Sequence, residues 1–140
     1  MDILLESTIE RAHQGIPEAQ WALGTGYSKG DGLPQSYAEA VKWWRKAADQ
    51  GFSWAQNDLG LAYIEGLGVP QDFGEAVKWW IKAARQGLDG AQYNLGCAYY
   101  MGHGVLQDFS EAAYWLRKAA GQGFEPAMRI LQIMREKGCI

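Results

Sequence analysis

Every 36 residues this chain returns to the same side chains. Ala19-Gln20, Ala55-Gln56 and Ala91-Gln92 each open a copy; Leu23-Gly24, Leu59-Gly60 and Leu95-Gly96 follow, then Tyr27, Tyr63 and Tyr99, then the glycine pairs Gly30/Gly32, Gly66/Gly68 and Gly102/Gly104. The copies close on Trp43-Trp44-Arg45-Lys46-Ala47-Ala48, Trp79-Trp80-Ile81-Lys82-Ala83-Ala84 and Trp115-Leu116-Arg117-Lys118-Ala119-Ala120. A fixed period of this length marks a stack of supersecondary units, none able to bury its apolar face alone. Such stacks usually bind other molecules rather than transform them.

The period divides the 140 residues into full units 19–54, 55–90 and 91–126, read as one domain. Gly15 aligns with Gly51, Gly87 and Gly123, so 1–18 reads as the second half of a preceding unit and 127–140 as the first half of a following one. Half-units of this kind serve as terminal caps.

Each unit reads as a helical hairpin. Ala55, Leu59, Ala62 and Tyr63 recur at three- and four-residue steps, which gathers them on one helical face. Ser53 and Asp89 are expected N-caps of first helices, Pro126 suits a first turn, and Gly30, Gly66 and Gly102 end them. Second helices open with Ser36, Asp72 and Asp108, each three residues before Glu39, Glu75 and Glu111, the spacing of a capping box. Their apolar faces alternate alanines with a tryptophan, as in Ala40, Trp44, Ala47, Ala48, so neighbouring helices approach closely around one large ring. The expectation is all-α, with about eight helices in a right-handed superhelical solenoid whose first helices line a concave face.

The run Ala55-Gln56 through Leu59-Gly60, Tyr63, Gly66, Gly68-Val69-Pro70, Asp72, Glu75-Ala76, Trp79-Trp80, Lys82-Ala83-Ala84 and Gln86-Gly87 resembles the Sel1-like repeat, a relative of the tetratricopeptide repeat with a slightly longer period. The resemblance spans the chain and implies an α/α solenoid acting as an adaptor in protein complexes. Leu106 stands for the loop proline, Leu116 for the second tryptophan, and Gly26 where other copies have Ala62 and Ala98. A cysteine-rich branch of the family carries a disulfide in each repeat and is associated with penicillin-like compounds. Cys97 and Cys139 do not reproduce that pairing, so the branch's activity is not carried over.

Known chemistries find little to work with. The glycine loops lack the Lys-Ser/Thr of a phosphate-binding loop, and are read as helix stops. Trp44 and Trp80 are read as core, with Trp43, Trp79 and Trp115 partly buried. His13 and His103 have no companions at triad or zinc spacing; His103 is read as a solvated turn residue. Lys42, Lys46, Lys78, Lys82 and Lys118 are read as a solvated stripe. The expectation is no catalytic residue, no metal and no cofactor, with Cys97 and Cys139 as free thiols or, alternatively, a single disulfide.

Net charge −3 and pI near 5.3 argue against a nucleic-acid grip. No stretch approaches the roughly 20 apolar residues of a membrane span, and the start lacks signal-peptide features. As given the chain is expected in the cytoplasm, or outside it where a leader has been removed.

By analogy with tetratricopeptide geometry, positions three, four, seven, ten and eleven of a copy line the concave groove. From these positions the lining is assigned to Trp21, Thr25, Ser28, Asn57, Asp58, Leu61, Ile64, Tyr93, Asn94, Cys97, Tyr100 and Met101, with Trp54 extending it. Aromatic and Met side chains suit an interface core, and Asn pairs with peptide backbone. The expected function is non-catalytic capture of a protein or peptide segment. A narrower version makes the chain an immunity-type partner of a secreted bacterial toxin. The alternative is a small hydrolase or β-lactam-binding enzyme, and a third reading has the terminal helices self-associating through Leu4, Leu5, Ile130 and Ile133.

Overall fold

The computed structural model describes residues 2–140, which form eight α-helices in two compact units. The first unit holds α1 (Ile3–His13), α2 (Pro17–Lys29), α3 (Tyr37–Asp49) and α4 (Ser53–Glu65). The second holds α5 (Phe73–Arg85), α6 (Asp89–Met101), α7 (Phe109–Gly121) and α8 (Glu125–Glu136). Within each unit, successive helices pack on one another.

Two kinds of corner alternate. At the tighter one, α3 ends with Gly51 at φ 90, the left-handed conformation that glycine adopts without a Cβ penalty. Its N–H donates to the Ala48 carbonyl (2.9 Å), and that of Phe52 donates to Ala47 (3.2 Å). These two bonds are the Schellman pattern, which favours an apolar residue just past the glycine. Phe52 is also the N-cap of α4, so one residue ends one helix and begins the next. Ile16, Leu88 and Phe124 do the same for α2, α6 and α8. None of these caps has a polar side chain bonded to the helix end. Ser53 and Asp89, expected as caps, are therefore the first residues inside their helices. The Schellman requirement for an apolar side chain outweighs the cap preference there.

At the longer corner, Ser36 Oγ accepts the Glu39 amide (3.2 Å) and Asp108 Oδ1 accepts that of Glu111 (3.0 Å), as the capping spacing predicts. The reciprocal half of the box is replaced. The Ser36, Asp72 and Asp108 amides donate to the carbonyls of Tyr27, Tyr63 and Tyr99 (2.9, 2.9 and 3.0 Å), which within the units ties the start of α3 to α2 and the start of α7 to α6. Gln35, Gln71 and Gln107 reinforce the corner by donating to Ser28, Ile64 and Tyr100 carbonyls.

The Ala-Gln pair has a structural reason. Gln20, Gln56 and Gln92 are buried, and a buried amide without partners would cost about 1–3 kcal/mol. Each donates Nε2 to a carbonyl near the end of the preceding helix: Ala12, Ala48 or Ala84 (3.3, 3.2 and 3.3 Å). Gln50 Nε2 then donates to Gln20 Oε1 (2.8 Å), and Gln122 Nε2 to Gln92 Oε1 (2.9 Å).

The Leu-Gly pair has another. Leu23, Leu59 and Leu95 are fully buried, and the adjacent glycine makes room for the facing helix. A Cβ on Gly24 would lie 2.6 Å from Trp44 Cδ1, and one on Gly96 would lie 2.7 Å from Leu116 Cγ. Trp43 and Trp79, expected to be partly buried, are as deep as Trp44 and Trp80; Trp115 is half-buried. The Lys46 and Lys82 ammonium groups each sit 4.6 Å from the ring centres of Trp43 and Trp79, completing their cover while staying exposed. Among the expected terminal apolar residues, Leu4 and Ile133 are exposed, whereas Leu5 and Ile130 are half-buried.

Candidate functional site

The thirteen residues assigned to the groove avoid the fully buried core: Trp54 and Met101 are exposed and the other eleven half-buried. In the first unit, Trp21 of α2 donates its indole N–H to Asp58 Oδ2 of α4 (2.7 Å). Trp21 also lies 4.9 Å from Trp54 and 5.9 Å from Phe52, and Phe52 lies 5.8 Å from Trp54, measured between ring centres. These separations mean the rings fill one another's space, so the cluster is an aromatic knob and not an open cage. Trp54 remains 51% exposed, a large apolar surface left to water.

Beside the knob lies a pocket of about 170 Å3 between α3 and α4. Asp58, Leu61, Ala62 and Glu65 form one wall, spaced to share a face of α4. Tyr37 and Trp44 from α3 and Leu67 from the following loop form the other. Two details hold this geometry. Trp44 Nε1 points to Thr25 Oγ1 (3.4 Å). Gly68, at φ 76, passes so close to the start of α3 that a Cβ would collide with the Tyr37 carbonyl, which fixes Leu67 over the pocket. Burial pushes the Asp58 carboxyl above its ordinary range; the Trp21 hydrogen bond and the more distant Lys29 charge pull it back only in part.

Thr25 and Ser28 are turned to local duties, Thr25 accepting from Trp44 and Ser28 donating to the Thr25 carbonyl (2.8 Å). Asn57 and Ile64 stay half-buried on α4.

In the second unit, Tyr93 lies 5.2 Å from Phe124 and bonds Cys97 through its side chain, and Tyr100 lies 5.8 Å from Phe109. These three side chains pack partly against the unit's own core, leaving Met101 as the exposed apolar residue among that unit's groove positions. Asn94 is half-buried beside them. Burial raises the Cys97 thiol pKa, and Cys97 and Cys139 are both free. His103 is exposed and stacks on Phe73 at 5.2 Å; His13 is exposed and meets the Trp43 ring edge-on. Among the described residues no three His, Cys, Asp or Glu side chains gather as metal ligands, and no helix is long and apolar enough to cross a membrane.

Phe52, Tyr37, Trp44, Glu65 and Leu67 belong to this site without having been assigned to it from sequence. Two carried a signal: Glu65 occupies position eleven of its copy, and Ile16, Phe52, Leu88 and Phe124 recur at the repeat period, an apolar residue just before each first helix.

A Sel1 repeat model matches residues 17–52, 55–88 and 90–124. Among solved structures, the chain is similar to c5321, a protective antigen present in uropathogenic Escherichia coli strains displaying an SLR fold (44% identity, TM-score 0.92, 94% of this chain and 28% of that one). It is also similar to a Sel1 repeat protein from Oxalobacter formigenes (38% identity, TM-score 0.86, 89% of this chain and 50% of that one). This chain thus spans half or less of either relative. Helicobacter pylori cysteine rich protein B, at 22% identity and TM-score 0.71 over 90% of this chain and 93% of that one, shares the fold. These likenesses bear out the expected all-α solenoid. No curated protein matches the chain.

Proposed function

Because this chain belongs to the Sel1 repeat family, we propose that it is a non-catalytic interaction module whose first-helix faces bind a segment of a partner protein. Repeats of this family generally serve as protein–protein interaction scaffolds. The observation that carries the reading for this chain is the Trp21–Phe52–Trp54 knob, its rings packed on one another yet left half open beside a carboxylate. Rigid aromatic surface is what interface hot spots are made of, since little side-chain freedom is lost on contact. Tyr100 and Met101 offer a smaller apolar surface of the same kind in the second unit.

Partners found by proximity labelling in the native cell provide the test. Trp54→Ala should weaken a purified partner by about 2 kcal/mol or more, the hot-spot range, with helical content unchanged. A partner held as tightly by Trp54→Ala and by Tyr100→Ala as by the parent chain overturns the reading. The finer version, an immunity-type antidote to a secreted toxin, draws on the acidic net charge of −3. It requires that co-expression of the chain protect cells from a toxin encoded beside it.

A further inference from the structure

The pocket between α3 and α4 carries negative charge that no cation of the first unit touches; Lys29 acts on Asp58 only without direct contact. Asp58 Oδ2 takes one neutral donor, the Trp21 indole, whereas a carboxylate has room for about four. Glu65 stands two turns further along the same face of α4. Neither carboxylate makes an ion pair among the described residues. An ionised carboxylate drawn out of water is costly unless it is paired.

We propose that this pocket receives a cationic side chain, lysine or arginine, from the partner protein, its charged end between Asp58 and Glu65 and its methylenes against Leu61, Tyr37 and Trp44. The inference rests on the interaction reading above and specifies what the partner segment must present. Volume and charge both select the occupant. At about 170 Å3 the space is close to the roughly 150 Å3 cavity that admits a benzene, enough for the end of one side chain and too small for a helix. The apolar walls suit an alkyl stem whose head is charged, the way long basic side chains cover apolar surface. A purely apolar occupant would leave Asp58 desolvated and unpaired, and an acidic one would meet two carboxylates.

Capped tripeptides Ala-Arg-Ala and Ala-Lys-Ala, with citrulline and norleucine replacing the central residue as controls, test this by heteronuclear NMR on the Trp21 and Trp44 indole resonances. The expected result is saturable shifts with the cationic probes and binding at least about tenfold weaker with either neutral control, the worth of a charge-assisted bond. Asp58→Asn keeps an oxygen for the Trp21 indole and should weaken the cationic probes by a similar factor. Glu65→Gln, at an exposed position, gives the same readout independently of any effect of Asp58 on folding. Norleucine binding as well as lysine, citrulline as well as arginine, no saturable shift at millimolar probe, or both variants binding like the parent would each overturn the assignment. A natural partner lost with Trp54→Ala but retained by Asp58→Asn and Glu65→Gln leaves the interaction reading standing and removes this one.

Discussion

Gly24 and Gly26 lie two residues apart on α2, and the structure gives alanine opposite fates at the two positions. Both substitutions gain about 1 kcal/mol of helix propensity, because glycine has more backbone freedom to lose. At Gly26 the new methyl would meet Leu33 Cδ1 at 3.8 Å and the Asp31 carbonyl at 3.9 Å, ordinary contacts. At Gly24 it would lie 2.6 Å from Trp44 Cδ1, 2.8 Å from Trp44 Nε1 and 3.0 Å from the Ala40 carbonyl. The ring cannot yield without leaving Thr25, and the carbonyl is backbone of α3. Overpacking of this sort costs about 1–3 kcal/mol. Gly26→Ala should therefore stabilise the protein by about 1 kcal/mol, and Gly24→Ala should range from about neutral to 2 kcal/mol destabilising. Propensity cancels in the comparison, leaving about 1–3 kcal/mol of packing, or about 2–4 °C in Tm for each kcal/mol. Thermal and urea unfolding followed by circular dichroism measure it. Gly24→Ala equal to or more stable than Gly26→Ala would refute the claim that the Leu-Gly pair exists to seat the facing side chain.

Asp58→Asn tests the half-buried carboxylate. Its folded pKa lies above the unfolded one, so stability is greatest below the unfolded value and is lost as pH rises through the window between the two. The variant should lack that loss and be at least as stable as the parent at neutral pH, and a clear neutral-pH loss in its unfolding curve would contradict the burial argument. Gln92→Leu removes the Gln122 and Ala84 links, although Ala84 keeps the Gly87 amide and Gln122 keeps the Gly87 carbonyl; a loss of about 0.5–1.5 kcal/mol, that of ordinary hydrogen bonds, is expected on urea unfolding, and a neutral result would mean the glutamine link is decorative. Ser36→Ala and Asp108→Ala should each cost about 1 kcal/mol through the lost cap, with Ser53→Ala as the control that costs a few tenths or less because Ser53 is not a cap. Leu116→Ala, at 0% exposure, should cost about 2–5 kcal/mol, read as a drop in Tm.

The period alone carried the hairpins, their glycine stops and the fully buried Leu-Gly and alanine positions, because those depend on spacing that any copy repeats. Two features were harder. The role of Gln20 needs Gln50, thirty residues away, and the bond between them exists only once helices are packed; the recurrence of Gln50, Gln86 and Gln122 was the available hint. The pocket was less visible still. Its acidic wall is particular to one copy: at the period, Asp58 aligns with Ala22 and Asn94, and Glu65 with Lys29 and Met101. Repeat reading averages such differences away, and a recess formed where two helices meet has no signature in either helix alone. Groove positions borrowed from a related geometry reached Trp21, Asp58 and Leu61 on the first-helix side. They could not reach Tyr37 and Trp44, which come from the second helix.

The double duty of Phe52 has a consequence for how such a chain can vary. Between α3 and α4 only residues 50–52 intervene, and Phe52 closes one helix while starting the other. An extra residue there would break the Schellman pair or uncap α4, and would rotate everything downstream. The segment 30–36 has no such shared residue, and its tip at Asp31 is exposed. Lengthening, tagging and grafting should therefore succeed at the Asp31 tip and fail at residues 50–52, so that within the first unit new loops are acquired at the glycine-pair corner between α2 and α3.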